Sequence, residues 1–158
     1  MTTRPAARGL MITLASLVVL AGASPAASES PAARAVDARQ AGFKQIGAAF
    51  KAVNDELRAG KPDMAALAAA AARLESHAAQ LPTWFPRGSG PESGAKTKAR
   101  ATVWADAAGF ADAAANLKAQ ASRLNALTRD GDLGAVRKQA VQVGAACKTC
   151  HTAYRAED

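Results

Sequence analysis

Apolar residues recur along this chain at alternating steps of three and four, the period of an amphipathic helix. The first such stretch, Ala33 to Arg58, places Val36, Phe43, Phe50 and Leu57 seven apart, with Ile46 and Val53 between them. Gly60, Lys61 and Pro62 end it, and Asp63 is placed to cap a second helix over Met64 to Gln80. That helix repeats the spacing through Met64, Leu67, Ala71, Leu74, Ala78 and Leu81. Leu81-Pro82 stops it, and a stretch rich in Pro, Gly and Ser runs from Pro82 to Lys98, long enough to cross one end of a bundle. A third helix is predicted from Ala99 to Thr128, with Val103, Ala107, Phe110, Ala114, Leu117, Ala121 and Leu124 on its seam. Asp130-Gly131-Asp132 makes a turn, Gly131 suiting a helix C-terminus and Asp132 an N-cap. The fourth helix, Leu133 to Tyr154, carries Leu133, Val136, Ala140, Val143, Cys147, Cys150 and Tyr154 on its seam. Four such helices with short first and last connections predict an all-α, antiparallel up-down-up-down four-helix bundle.

Residues 1–28 read differently. Arg4 and Arg8 precede an apolar run, Leu10 to Leu20, which is followed by small residues from Ala21 to Ser28. This is the pattern of a secretory signal peptide, with cleavage expected between residues 23 and 28. The run is too short and wrongly flanked for a membrane span, and no later stretch is apolar long enough to be one. The expected mature unit, 29–158, suits one domain. Export points to the periplasm, and the separated arginines favour general secretion over the twin-arginine route.

Composition sharpens the fold more than the function. Aromatics make up only 4% of the chain and alanine is abundant, so the seams are built from small and aliphatic side chains. The formal net charge is +7, of which Arg4 and Arg8 in the leader carry two. No basic run is dense enough to suggest nucleic acid. Mild basicity suits solubility, and it also suits an acidic redox partner.

The chemistry lies near the end of the chain. The only two cysteines form Cys147-Lys148-Thr149-Cys150-His151, the C-x-x-C-H attachment signature of c-type haem. Two thiols can add to the two haem vinyl groups, and the next imidazole can reach the iron from the same side. A disulfide across one helical turn closes a very small loop and constrains little. A thioredoxin-like pair belongs after a strand, and no strand pattern is present. A zinc site needs about four ligands, and only His77 remains as a further Cys or His. Both cysteines lie on the apolar seam, where a haem can be attached and buried at once.

The chain resembles the cytochromes c′, the class II c-type cytochromes, over essentially its whole mature length. The resemblance rests on Cys147-Lys148-Thr149-Cys150-His151-Thr152-Ala153-Tyr154-Arg155, Ala38-Arg39-Gln40, Leu81-Pro82 and Val103-Trp104. It implies one covalent haem c held by Cys147 and Cys150, with His151 as the axial iron ligand. It matches Arg155 to a basic residue beside the proximal face, Arg39 to an arginine that contacts a haem propionate, and Phe43 to the residue over the distal face. Gln40 and Thr97 are further candidates for the haem edge, and Lys98 a weaker one. From the residues themselves, Arg39 occupies an apolar stripe position, where a charge is costly unless paired. The alternative is that it snorkels to solvent at the bundle end.

Helix levels place Phe43 and His151 in the same half of the bundle, the half that the crossover loop covers. Trp84, Phe85 and Trp104 are expected there as core or loop anchors, with contact to the haem open to each. Phe43 has no lone pair for iron. Met64 lies toward the far end, and His77 flanks its helix seam as a half-exposed histidine. The expectation is therefore a five-coordinate iron that binds NO or CO, carries electrons, or does both. The alternative is a six-coordinate, low-spin electron-transfer cytochrome of the c-556 kind. No enzyme is expected, because Phe43 cannot serve as a distal acid or base. Relatives of this kind often dimerise through the first two helices, where Ala48 and Ala52 permit close contact, so a homodimer is expected.

Overall fold

A computed structural model describes residues 1–2 and 29–157, so the expected leader lies almost wholly outside the described residues. Four long helices carry the fold: α1 (Pro31–Arg58), α2 (Met64–Gln80), α4 (Ala107–Asp130) and α5 (Leu133–Tyr154). A single turn, α3 (Thr102–Ala105), precedes α4, and two short 3₁₀ turns punctuate the crossover at Leu81–Trp84 and Pro91–Ser93. Among the described residues there is no strand, only an isolated antiparallel bridge between Ala99 and Arg155. The arrangement is the four-helix bundle that the spacing predicts.

Local chemistry sets the helix ends. The Ser30 hydroxyl accepts the Ala33 N–H at 3.1 Å, and Pro31 opens α1 with a ring already at helical φ. Asp63 caps α2 by accepting the Ala65 and Ala66 N–H groups at 2.8 and 3.2 Å. Asp132 caps α5 through the Ala135 N–H at 2.9 Å. Gly131 ends α4 at φ 76°, a left-handed conformation that glycine adopts without steric cost.

The third helix departs from expectation. A single helix over Ala99 to Thr128 is replaced by a break at Asp106, whose backbone leaves the helical region (φ −116°, ψ 61°). Its side chain then accepts the Gly109 N–H at 3.1 Å and starts α4 afresh. Ala107, expected on the seam, is exposed as a result, while Val103 and Phe110 on either side of the break are buried.

α1 packs on α2, α2 on α4 and α4 on α5, while α1 and α5 touch only sparingly. The core is a column of seam residues, among them Val53, Leu67, Leu74, Leu124, Val136 and Val143, all fully buried. Polar cross-links that the apolar pattern does not report join the helices too. Asn125 on α4 donates to Glu75 on α2 at 2.6 Å, and Gln139 on α5 donates to the Gln120 carbonyl and side chain on α4 at 3.1 and 2.7 Å. At the crossover, the Trp84 ring lies against α1 so closely that a Cβ on Gly42 would fall 2.4 Å from it.

Candidate functional site

Where α1 and α5 separate, the seam opens into a cavity of about 660 Å³. This lies within the roughly 300–1,000 Å³ typical of cofactor and ligand sites. α1 contributes Arg39, Gln40, Phe43, Lys44, Ile46, Gly47 and Phe50 to its wall. α5 and the residue after it contribute Cys147, Cys150, His151, Tyr154 and Arg155. The crossover closes one end with Phe85, Thr97, Lys98 and Ala99, and Val103, Phe110 and Leu117 form the floor. All nine candidates named from sequence, Lys98 among them, therefore line one space. The level argument is borne out for Phe43 and His151, which share it. His77 and Met64 are both half-buried on α2 and do not reach the cavity.

The two thiols are free and half-buried, one helical turn apart. Burial pushes the Cys147 and Cys150 pKa values up, and for Cys150 the neighbouring sulfur adds to the effect. His151 moves the other way: burial lowers its pKa, and the Arg155 cation lowers it further. Among the described residues no three His, Cys, Asp or Glu side chains group to hold a metal ion.

Arg39 does not snorkel to solvent. It is 2% exposed. Its guanidinium donates to the Ser89 hydroxyl at 3.0 Å, the Ser89 carbonyl at 2.7 Å and the Thr97 hydroxyl at 2.6 Å. The Phe85 and Trp104 rings lie 5.2 and 5.7 Å from it. Burial depresses its pKa, partly offset by the charge of Glu92. Within ion-pair distance the described residues offer it no carboxylate. A buried cation whose hydrogen bonds go to neutral acceptors, on the wall of a cavity, fits a ligand that brings its own negative charge. Gln40 beside it donates to the Lys96 carbonyl at 3.0 Å, tying α1 to the same loop.

Aromatic rings frame the cavity in one edge-to-face chain. Trp84 meets Phe43 at 5.5 Å, Phe43 meets Phe85 at 6.1 Å, Phe85 meets Phe110 at 4.7 Å, and Phe110 meets Tyr154 at 5.3 Å. Of the rings in this chain, Phe43, Phe85, Phe110 and Tyr154 reach the cavity wall, as Phe50 does beside them, while Trp84 and Trp104 do not line it. The Tyr154 hydroxyl donates to Asp106 at 2.7 Å, and that hydrogen bond pushes its pKa up to about 12.

A cavity walled by two cysteines, the histidine that follows them and a buried arginine fits a covalently attached haem with its two carboxylates. The family model described as Cytochrome C′ matches residues 34–155, nearly the whole described span. The chain belongs to the cytochrome c′ family. That family carries haem c and its iron, and its members are haem carriers rather than enzymes. Cytochrome c′ of Rubrivivax gelatinosus is 34% identical over 122 residues, covering 77% of this chain and 93% of its own. Its crystal structure superposes with a TM-score of 0.72 at 30% identity, covering 78% of this chain and 96% of that one. Cytochrome c-556 of Agrobacterium tumefaciens is 32% identical over 121 residues, covering 76% of this chain and 95% of its own. A nitric oxide complex of a cytochrome c prime variant from Alcaligenes xylosoxidans superposes with a TM-score of 0.70 at 29% identity, covering 78% of this chain and 94% of that one. Among the described residues no helix is long and apolar enough to cross a membrane.

Sequence reasoning missed Ser89, Tyr154 and Asp106 as site residues. Ser89 lies in the crossover, fifty positions from Arg39, and nothing local marks the pair. Tyr154 was visible only as a seam residue. The signal for Asp106 was the acidic side chain three before Gly109, a capping spacing inside an otherwise unbroken helical pattern.

Proposed function

We propose that Cys147 and Cys150 hold one covalent haem c, that His151 is its axial ligand, and that the iron stays five-coordinate. The observation that carries this is the cavity wall: His151 is the single imidazole among the side chains lining it, and Phe43 reaches the same space from α1. A bound haem supplies one redox-active iron with an open position. Phe43 excludes water from that position and offers no hydrogen bond, which favours NO and CO over stabilised O₂. Arg39 supplies the positive charge for a propionate, with Ser89 and Thr97 fixing its orientation. Gln40 stands at the same edge, and Arg155 flanks the proximal side. The nitric oxide complex of the Alcaligenes protein supports gas binding as the leading role, with electron transfer to a periplasmic partner as the companion role. The leader pattern supports a periplasmic location. Family resemblance and the small Ala48 and Ala52 on α1 support a homodimer.

The six-coordinate, c-556-like alternative draws on the relative of that name. It needs a second strong ligand, and neither Met64 nor His77 lines the cavity. Optical spectra of the exported protein separate the two readings. Ferric protein is expected to be five-coordinate with high-spin character, and ferrous protein to take up NO and CO. A low-spin ferric spectrum with a methionine-to-iron band would establish the alternative. Porphyrin mass missing from the chain would end both.

A further inference from the structure

The final four carbonyls of a helix have no partner within it, so a last turn frays unless something outside holds it. At the end of α5 all four are taken. His151 O accepts the Arg155 N–H at 3.0 Å. Thr152 O accepts the Arg100 guanidinium at 3.1 Å, Ala153 O the Thr102 hydroxyl at 3.0 Å, and Tyr154 O the Arg100 N–H at 2.9 Å. Three of these partners come from one short stretch just before and at the start of α3. Beyond the helix, the Ala156 N–H donates to Lys98 O at 2.8 Å, continuing the bridge between Ala99 and Arg155. From the side, the Tyr154 hydroxyl meets Asp106 Oδ2 at 2.7 Å, while Oδ1 of the same carboxylate starts α4. A Cβ on Gly109 would lie 2.6 Å from the Tyr154 hydroxyl, so the close approach needs glycine there.

We propose that residues 98–106 form a clasp that positions the last turn of α5, with Thr102 and Asp106 as positioning residues for His151. Arg100 and Thr102 fix the axial position of the turn and Asp106 fixes its roll. The imidazole and the Cys150 sulfur are thereby aimed by the protein rather than by whatever they bind. The break in the third helix gains a purpose in this arrangement. The break leaves the Asp106 carboxylate outside both helical stretches, where one oxygen accepts the Gly109 N–H and the other the Tyr154 hydroxyl.

The role given to His151 rests on the haem reading above, and the experiment keeps the two apart. Thr102→Val and Tyr154→Phe each remove one hydroxyl at nearly constant shape. In the mature exported protein, amide hydrogen exchange at residues 151–156 is expected to quicken roughly two- to tenfold per bond lost. Amides from Leu117 to Leu124 in α4 are expected to stay unchanged. The iron–histidine stretching band in resonance Raman of the ferrous form is expected to shift and broaden in both variants. Unchanged exchange at the last turn, or exchange that quickens equally in α4, overturns the clasp. Faster local exchange with an unchanged stretching band overturns its positioning of His151. If the wild-type chain carries no porphyrin, the haem reading falls and the exchange measurement alone decides the clasp.

Discussion

Arg39 carries a full charge to a place where a heptad stripe calls for an aliphatic side chain, and the fold meets the cost with the Ser89 carbonyl and two hydroxyls. Hydrogen bonds to a charged group are worth more than neutral ones, so their loss is felt in the folded state as well as at the site. Replacing Arg39 by Met keeps an unbranched stem but ends short of the guanidinium, leaving Ser89 and Thr97 without their donor. The expected loss is about 2 kcal/mol of unfolding free energy, read from denaturant titration. The oddity of Arg39 was legible in the sequence because charge in an apolar period is a local contradiction. Its partners were not, since a loop residue fifty positions away has no period to betray it. The haem signature was the most legible feature of all, because two thioether bonds and one axial ligand demand fixed local spacing.

At the scale of elements, apolar period predicted four helices and most of their buried faces, and it failed where polar contacts set the boundary. Val103 and Phe110 keep the seven-residue spacing across Asp106, so the periodicity runs on through a break that the backbone makes. Cross-links between helices were equally hidden. Asn125, only 8% exposed, donates to Glu75, and with Ser122 it holds the Glu75 pKa below its ordinary value of 4.5. A carboxylate depressed in the folded state contributes stability that is complete above its unfolded value and lost as pH falls through the folded one. Wild-type protein is therefore expected to lose α2–α4 stability as pH drops below about 4.5, on the usual carboxylate scale. Glu75→Gln removes that contribution and flattens the acid limb of a melting-temperature profile. An acid limb of the same steepness in the variant would count against this link.

For the whole molecule, what matters is which pair of neighbouring helices stays apart. Three sides of the bundle are closed by packed seams, and the fourth, between α1 and α5, holds the cavity. One helix thus offers the ligand-side ring Phe43 while its neighbour offers the thiols and imidazole. Ala48 is exposed on the part of α1 turned away from the cavity, the surface proposed above for a homodimer. A dimer formed there leaves the cavity mouth open. Light scattering of the mature protein is expected to report two chains, and Ala48→Arg to report one. A wild-type chain that runs as a monomer at every concentration would refute this surface assignment.

The contact of Trp84 with Gly42 reaches further than its own packing. A Cβ at position 42 would fall 2.4 Å from the Trp84 indole, so a side chain there requires that ring to shift. The two sites thus behave as a single inherited character. Bulk on the helix is expected to be borne more easily once the ring on the loop is removed. Gly42→Ala is expected to lower the melting temperature in the wild-type background and to cost less where Trp84 is already replaced by Ala.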